Sequence, residues 1–136
     1  MESTILTLLP KVLANVPLAP YTTLKIGGKA AYFFTARTSK KIIQAVGAAK
    51  KLHIPLFILG GGSNLVVSDK GFHGLVIKIQ NTKYKIRDTR VFAEAGVSMA
   101  TLVRETGKKG LSGFEWAGGL PGSVGGAIRG NAGAFK

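Results

Sequence analysis

Glycine restricts this chain more than any other residue, because it gathers into two tight loops. The first is Leu59-Gly60-Gly61-Gly62-Ser63-Asn64-Leu65, and the second is Gly118-Gly119-Leu120-Pro121-Gly122-Ser123-Val124-Gly125-Gly126-Ala127. Consecutive glycines permit positive φ and carry no Cβ, so successive backbone N–H groups can turn toward one anion. Ser63 and Asn64 add side-chain donors to the first loop. The same string also suits a tight turn that ends a strand, and taken alone the first loop leaves both readings open. In the second loop, Pro121 suits the first position of a short helix, whose N–H groups would then lie free beside Gly122 and Ser123. Gly125, Gly126 and Ala127 would let a flat ligand or another backbone pack closely. A glycine in a helix costs about 1 kcal/mol against alanine, so this density calls for a steric or binding reason. Two such loops suggest a large phosphate-containing ligand. They match neither a Walker loop, for want of Gly-Lys-Ser/Thr, nor a dinucleotide fingerprint that opens a long helix.

The segments around the loops give a coarse element map. Residues 40–52 place Ile42, Ala45, Val46, Ala49 and Leu52 at helical spacing, with Ser39 as the N-cap. Residues 54–59 form an apolar run with Pro55 near its start, read as a buried strand that stops at glycine. Residues 75–79 read as another strand, and 83–87 with 90–95 as a hairpin turning at Asp88-Thr89. A second helix follows, capped by Ser98, facing inward through Met99, Leu102, Val103 and Thr106, and stopped by Gly107 and Gly110. A hairpin after alternating elements predicts an α+β or mixed α/β fold rather than a doubly wound sheet.

Composition narrows the function classes. With 136 residues the chain has room for one ordinary domain, and 46% hydrophobic residues supply a core. It has no cysteine, which removes disulfides, cysteine zinc sites, iron–sulfur clusters and thiol nucleophiles. Nineteen Lys and Arg against six Asp and Glu give +13, the footprint of a phosphate-neutralising protein. The cations come singly or in pairs such as Lys40-Lys41, Lys50-Lys51 and Lys108-Lys109, and form no basic block. A solvated basic surface that attracts small anions is therefore favoured over a polynucleotide groove. A basic single-domain nucleic-acid binder is the alternative. His53 and His73 stand alone, without a second ligand at metal spacing, and read as ordinary loop positions. No stretch approaches the ~20 apolar residues of a membrane span, and residues 1–13 lack the positive start of a signal peptide, so a soluble cytoplasmic protein is expected.

Four ordered motifs resemble those of the UDP-N-acetylenolpyruvoylglucosamine reductase family, also called UDP-N-acetylmuramate dehydrogenases. They are Thr23-Leu24-Lys25-Ile26-Gly27-Gly28, the two glycine loops with Leu59 and Ala117 at their starts, and Asn131-Ala132-Gly133-Ala134-Phe135. The resemblance implies an FAD-binding domain of the p-cresol methylhydroxylase type, two small α+β subdomains with the flavin between them. It implies a lead-in segment over 1–16, the FAD-binding domain over 17–136, cut off at its C-terminus, and a substrate domain that this chain lacks. It assigns cofactor binding to Thr23, Ile26, Gly27 and Gly28, then to Leu59, Gly60, Gly61, Gly62, Ser63, Asn64 and Leu65. In the second loop it assigns Gly118, Gly119, Leu120, Pro121, Gly122, Ser123, Gly125 and Gly126, and after it Asn131 and Ala132. Covalent members of the wider superfamily carry a histidine just after the first loop; Ser63 and Asn64 stand there, so non-covalent FAD is expected.

The family's reaction passes hydride from NADPH through the flavin to the enolpyruvyl double bond of a UDP-sugar, in the synthesis of a cell-wall precursor. A serine, an arginine and a glutamate complete it, and the resemblance puts all three beyond the fourth motif. No residue here is therefore assigned as catalytic. Ser63 and Ser123 lie in cofactor loops, Glu115 between Phe114 and Trp116 suits loop support, Arg129 suits a surface role, and Trp116 suits packing. The resemblance thus implies a monomeric flavoenzyme acting on a small molecule, of which this chain is an inactive fragment with no metal site.

Overall fold

The computed structural model describes residues 2–134; Met1, Lys136 and Phe135, the last residue of the fourth motif, lie outside the described residues. The chain divides into two compact units, Met1–Gln80 and Asn81–Lys136.

The first unit is a four-stranded sheet with helices. It opens with α1, Glu2–Leu8, and β1, Leu13–Pro17, which pairs antiparallel with β2, Lys29–Ala36. A helix, α2 (Ser39–Leu52), then leads to β3, Leu56–Leu59, and on to β4, Phe72–Ile79. Both β2 and β3 run parallel to β4, giving the order β1-β2-β4-β3. Strand β4 is an inner strand, and Leu75, Val76, Ile77 and Ile79 are buried, as parallel strands covered on both faces require. Leu18, Ala30, Phe33, Leu59 and Val76 form a core cluster against which Tyr21, Leu65, Val67 and Phe72 pack. The Tyr21 ring lies 4.6 Å from that of Phe33. Residues 1–16, set apart as a lead-in by the motif pattern, contribute buried Ile5, Leu9 and Val12.

Helix α2 occupies the predicted span, but its N-cap is Thr38. The Thr38 hydroxyl accepts the Lys41 N–H at 3.2 Å, and Ser39 is already the first helical residue. Either residue type can cap, and the extended backbone of Thr38 (φ −143°, ψ 155°) decides between them. The helix buries Ala45, Ala48 and Ala49, small side chains that leave Ile42, Val46 and Leu52 only partly covered. It ends at His53 in the left-handed region (φ 53°), with the His53 N–H on the Lys50 carbonyl and the Ile54 N–H on the Ala49 carbonyl. That is a Schellman closure made with histidine where glycine is the usual choice. His73 lies exposed in β4, not in the loop expected for it, because the strand starts three residues before the apolar run at 75–79.

The second unit begins with a two-stranded hairpin, β5 (Tyr84–Arg87) and β6 (Arg90–Ala93), which turns at Asp88 (φ 51°) as predicted. The Glu94 carboxylate accepts the Lys83 N–H at 2.8 Å and pins the open end. Helix α3, Met99–Lys108, is capped by Ser98, whose Oγ accepts the Thr101 N–H at 3.1 Å. It buries Met99, Leu102 and Thr106. Gly107 is inside the helix; the stop is Gly110 (φ 68°), with N–H bonds from Gly110 to Gly107 and from Leu111 to Thr106. A short helix, α4 (Val124–Arg129), completes the unit. Among the described residues no helix is long and apolar enough to cross a membrane.

Thr38→Ala is expected to destabilise the protein by about 1 kcal/mol and Ser39→Ala by only a few tenths. Urea unfolding of the two variants checks this, and the reverse order would return the cap to Ser39.

Candidate functional site

In the first unit, the first and second motifs come together. The Thr23 N–H donates to the Gly62 carbonyl at 2.9 Å. Gly62 sits at φ 71°, and a Cβ built on it would lie 2.0 Å from the Tyr21 carbonyl oxygen. Glycine is needed there for conformation and for space at once. Gly27 and Gly28 pass close under Val67 and Asp69, and the Gly28 N–H bonds the Ser68 carbonyl at 2.9 Å. The side chain of Thr22 is buried and bonds the Ala19 and Ile26 carbonyls, which closes the turn that carries the motif. Ile26 is exposed, while Leu59 is buried at the end of β3 and supports the loop from the core.

The glycine loop leaves the C-terminal end of β3, where open α/β sheets offer their ligand sites. Among the described residues, none of the amides at 61–65 finds an acceptor in the protein, and the Ser63 and Asn64 side chains bond nothing. The carbonyls behave differently. That of Gly62 is held by Thr23, and that of Gly60 accepts a bond from the Lys78 ammonium. Two of the loop's carbonyls are thus engaged while its amide donors are left over, a set suited to an anion and to the diphosphate of FAD. Below the loop, Leu18, Thr22, Leu59, Leu65, Val67 and Phe72 are among the residues lining a largely apolar cavity of about 170 Å³. Its chemistry suits hydrocarbon rather than phosphate.

Lys78 was not among the residues singled out from the sequence. It pairs in register with Leu59, so its side chain starts beside the end of β3 and reaches the next residue. Burial pushes its pKa below the ordinary lysine value. The available signal in the sequence is one cation within the apolar run Leu75-Val76-Ile77-Lys78-Ile79.

In the second unit, the structure corrects the expected helix start. Helix α4 begins at Val124, three residues after Pro121, with Ser123 as its N-cap. Its first N–H groups are not free: Val124 donates to the Val97 carbonyl, Gly125 to that of Ala95, and Gly126 to the Ser123 Oγ. An antiparallel bridge between Ser98 and Ser123 takes up the turn that Pro121 was expected to open. Buried Ser123 therefore serves as a cap. A Cβ on Gly125 would lie 2.9 Å from that of Ala95, so packing against the chain's own backbone explains this glycine. The amides of Gly119 and Gly122 have no acceptor among the described residues, and Gly118 donates to the Glu115 carbonyl. Leu120 is partly buried.

The fourth motif follows α4 directly. Asn131 takes the left-handed conformation (φ 48°), its N–H on the Ile128 carbonyl and that of Ala132 on the Ala127 carbonyl. Asparagine here is the stop of a Schellman motif. Glu115 supports its loop as expected, accepting the Gly113 N–H at 2.7 Å. Trp116 stacks with Phe114 at 6.4 Å, and Arg129 is exposed. Among the described residues no group of three or more potential metal ligands gathers.

The comparisons bear on this arrangement directly. A family model described as an FAD binding domain matches residues 30–136. The UDP-N-acetylenolpyruvoylglucosamine reductase of Synechococcus sp. (strain JA-3-3Ab) is 40% identical over 134 residues, which is 97% of this chain and 43% of that protein. Its namesake from Desulforamulus reducens is 45% identical over 124 residues, covering 90% of this chain and 41% of that protein. The chain therefore spans about two fifths of the length of the curated relatives it matches. The crystal structure of UDP-N-acetylenolpyruvylglucosamine reductase from Thermus caldophilus superposes with a TM-score of 0.72 at 35% identity, over 91% of this chain and 42% of that one. The structure of p-cresol methylhydroxylase with substrate bound gives 0.55 at 16% identity, over 80% of this chain and 24% of that one, a likeness of fold alone. These matches bear out the α+β fold and the family resemblance, and nothing in them supports the nucleic-acid alternative.

Gly62→Ala is expected to lose at least about 2 kcal/mol of stability, from the left-handed backbone and the Tyr21 clash together. Gly119→Ala, which meets open space, should stay within about 0.5 kcal/mol of the parent. Equilibrium unfolding separates them, and equal losses would mean that Gly62 is not sterically required.

Proposed function

The chain belongs to the FAD binding domain family, and from that premise we propose that it is the flavin-holding part of a UDP-N-acetylenolpyruvoylglucosamine reductase. The observation that carries the reading is the 61–65 run of unpartnered amides at the end of β3, set among motifs in the order found in that family. The flavin-binding domain extends over 17–136. The amides of Gly61, Gly62, Ser63 and Asn64 would hold the diphosphate, with Thr23 fixing Gly62 and with Gly27 and Gly28 packed against the segment that follows the loop. Within the second unit, the unpartnered amides of Gly119 and Gly122 are the further candidates for flavin binding that the motif order gives, with Asn131 and Ala132 following them. With no histidine after the first loop, FAD is held without a covalent bond. The flavin supplies a two-electron relay between NADPH and the enolpyruvyl group of a UDP-sugar. Within this chain the work is to bind and orient; the proton chemistry belongs to residues outside it. The enzyme acts as a monomer in the cytoplasm on a peptidoglycan precursor, and its basic surface favours both anionic ligands.

Purified protein is expected to be yellow, to give up its flavin as intact FAD on mild denaturation, and to bind it again on titration. With the complete enzyme, NADPH should bleach the flavin band anaerobically, and the enolpyruvyl UDP-sugar should restore it. Colourless protein that takes up no FAD would end the reading. Retention of flavin with no response to NADPH would leave the cofactor and remove the proposed donor.

A further inference from the structure

A loop of three consecutive glycines carries the largest backbone entropy a chain can have, so a defined cradle needs anchors. The structure shows two, and both act on carbonyls: Thr23 N–H on Gly62, and Lys78 Nζ on Gly60. In a planar trans peptide the C=O and the following N–H point in opposite directions. Holding the Gly60 carbonyl toward β4 turns the Gly61 N–H away from the sheet. Holding the Gly62 carbonyl toward Thr23 does the same for the Ser63 N–H on the other side of that peptide.

We propose that Lys78 is a positioning residue for the cofactor: its ammonium clamps the Gly60 carbonyl, and so sets the amides at 61–65 to receive a diphosphate. The inference rests on the FAD reading above. Lys78 occupies an inner strand whose neighbours Ile77 and Ile79 are buried, a place where an aliphatic side chain is the less costly choice for the sheet. Among the described residues its ammonium pairs with no carboxylate, so an ion pair does not account for it. What it does touch is the first peptide of the glycine loop. Its charge also remains uncompensated by acid, and a partly buried cation is screened less than one in open water.

The test compares the parent with Lys78→Met, which keeps length and adds apolar burial, and Lys78→Arg, which restores a cationic donor. FAD affinity is read by fluorescence titration, and backbone order of 60–65 by nitrogen relaxation in the flavin-free protein. Lys78→Met should weaken FAD binding roughly tenfold or more and lower the order of the loop, while melting no earlier than the parent. Lys78→Arg should recover most of both. Parent-like loop order and FAD affinity in Lys78→Met would overturn the proposal, as would an equal loss in Lys78→Arg. If the parent takes up no FAD while loop order still depends on Lys78, the flavin reading fails and the clamp stands.

Discussion

The parallel pairing of β2 with β4 is the constraint on which the first unit depends. It joins Ala30 to Phe72 and Ala36 to Ile79, residues some forty apart in sequence, and the loop-closure entropy of that separation must be met before any of its contacts form. Once it forms, the rest is placed. Strand β4 becomes an inner strand, β3 adds to its other side, and α2 must cross between β2 and β3. The glycine loop then emerges beside the end of β4, which is why Lys78 can reach it. Antiparallel β1 closes the far edge and brings the turn at 19–28 back under the core, from which Thr23 meets Gly62.

The elements with strong local signals were legible in the sequence. Helices α2 and α3, the hairpin at Asp88 and the strand at 75–79 all stand where period and turn chemistry put them. Boundaries were less so, for a physical reason. Thr38 and Ser39 are chemically interchangeable as caps, and only the backbone angles reached in the fold choose one. Pro121 and Ser123 present the same ambiguity two residues apart. There the bridge from Ser98 to Ser123 overrides the preference of proline for a first helical turn, and it is a contact between segments far apart in sequence. Lys78 was missed on the same ground. Its role arises from register with β3, which a local pattern does not contain.

The two glycine loops show how one composition can have unlike causes. Gly62 and Gly125 are sterically required, the first by the Tyr21 carbonyl and the second by Ala95. Such glycines would be needed with no ligand at all. Gly119 meets no atom and takes no left-handed angle, so packing gives no reason for it. The informative distinction is therefore between glycines that the chain's own backbone crowds and those that it leaves open. Sequence reading treats them alike because both leave the same letter.

Charge divides in a similar way. A net +13 describes a surface, and exposed lysines such as those along α2 act through water, where physiological salt screens them within about 8 Å. Each contributes little to the stability of the fold. Lys78 differs in environment rather than in kind: partly desolvated, tied to a carbonyl and unpaired with acid. Electrostatic interaction strengthens as the effective dielectric falls, so such a cation is screened less than one in open solvent. Among the cations of a basic chain, Lys78 is thus set apart by sheet register, which ties it to the first carbonyl of the glycine loop.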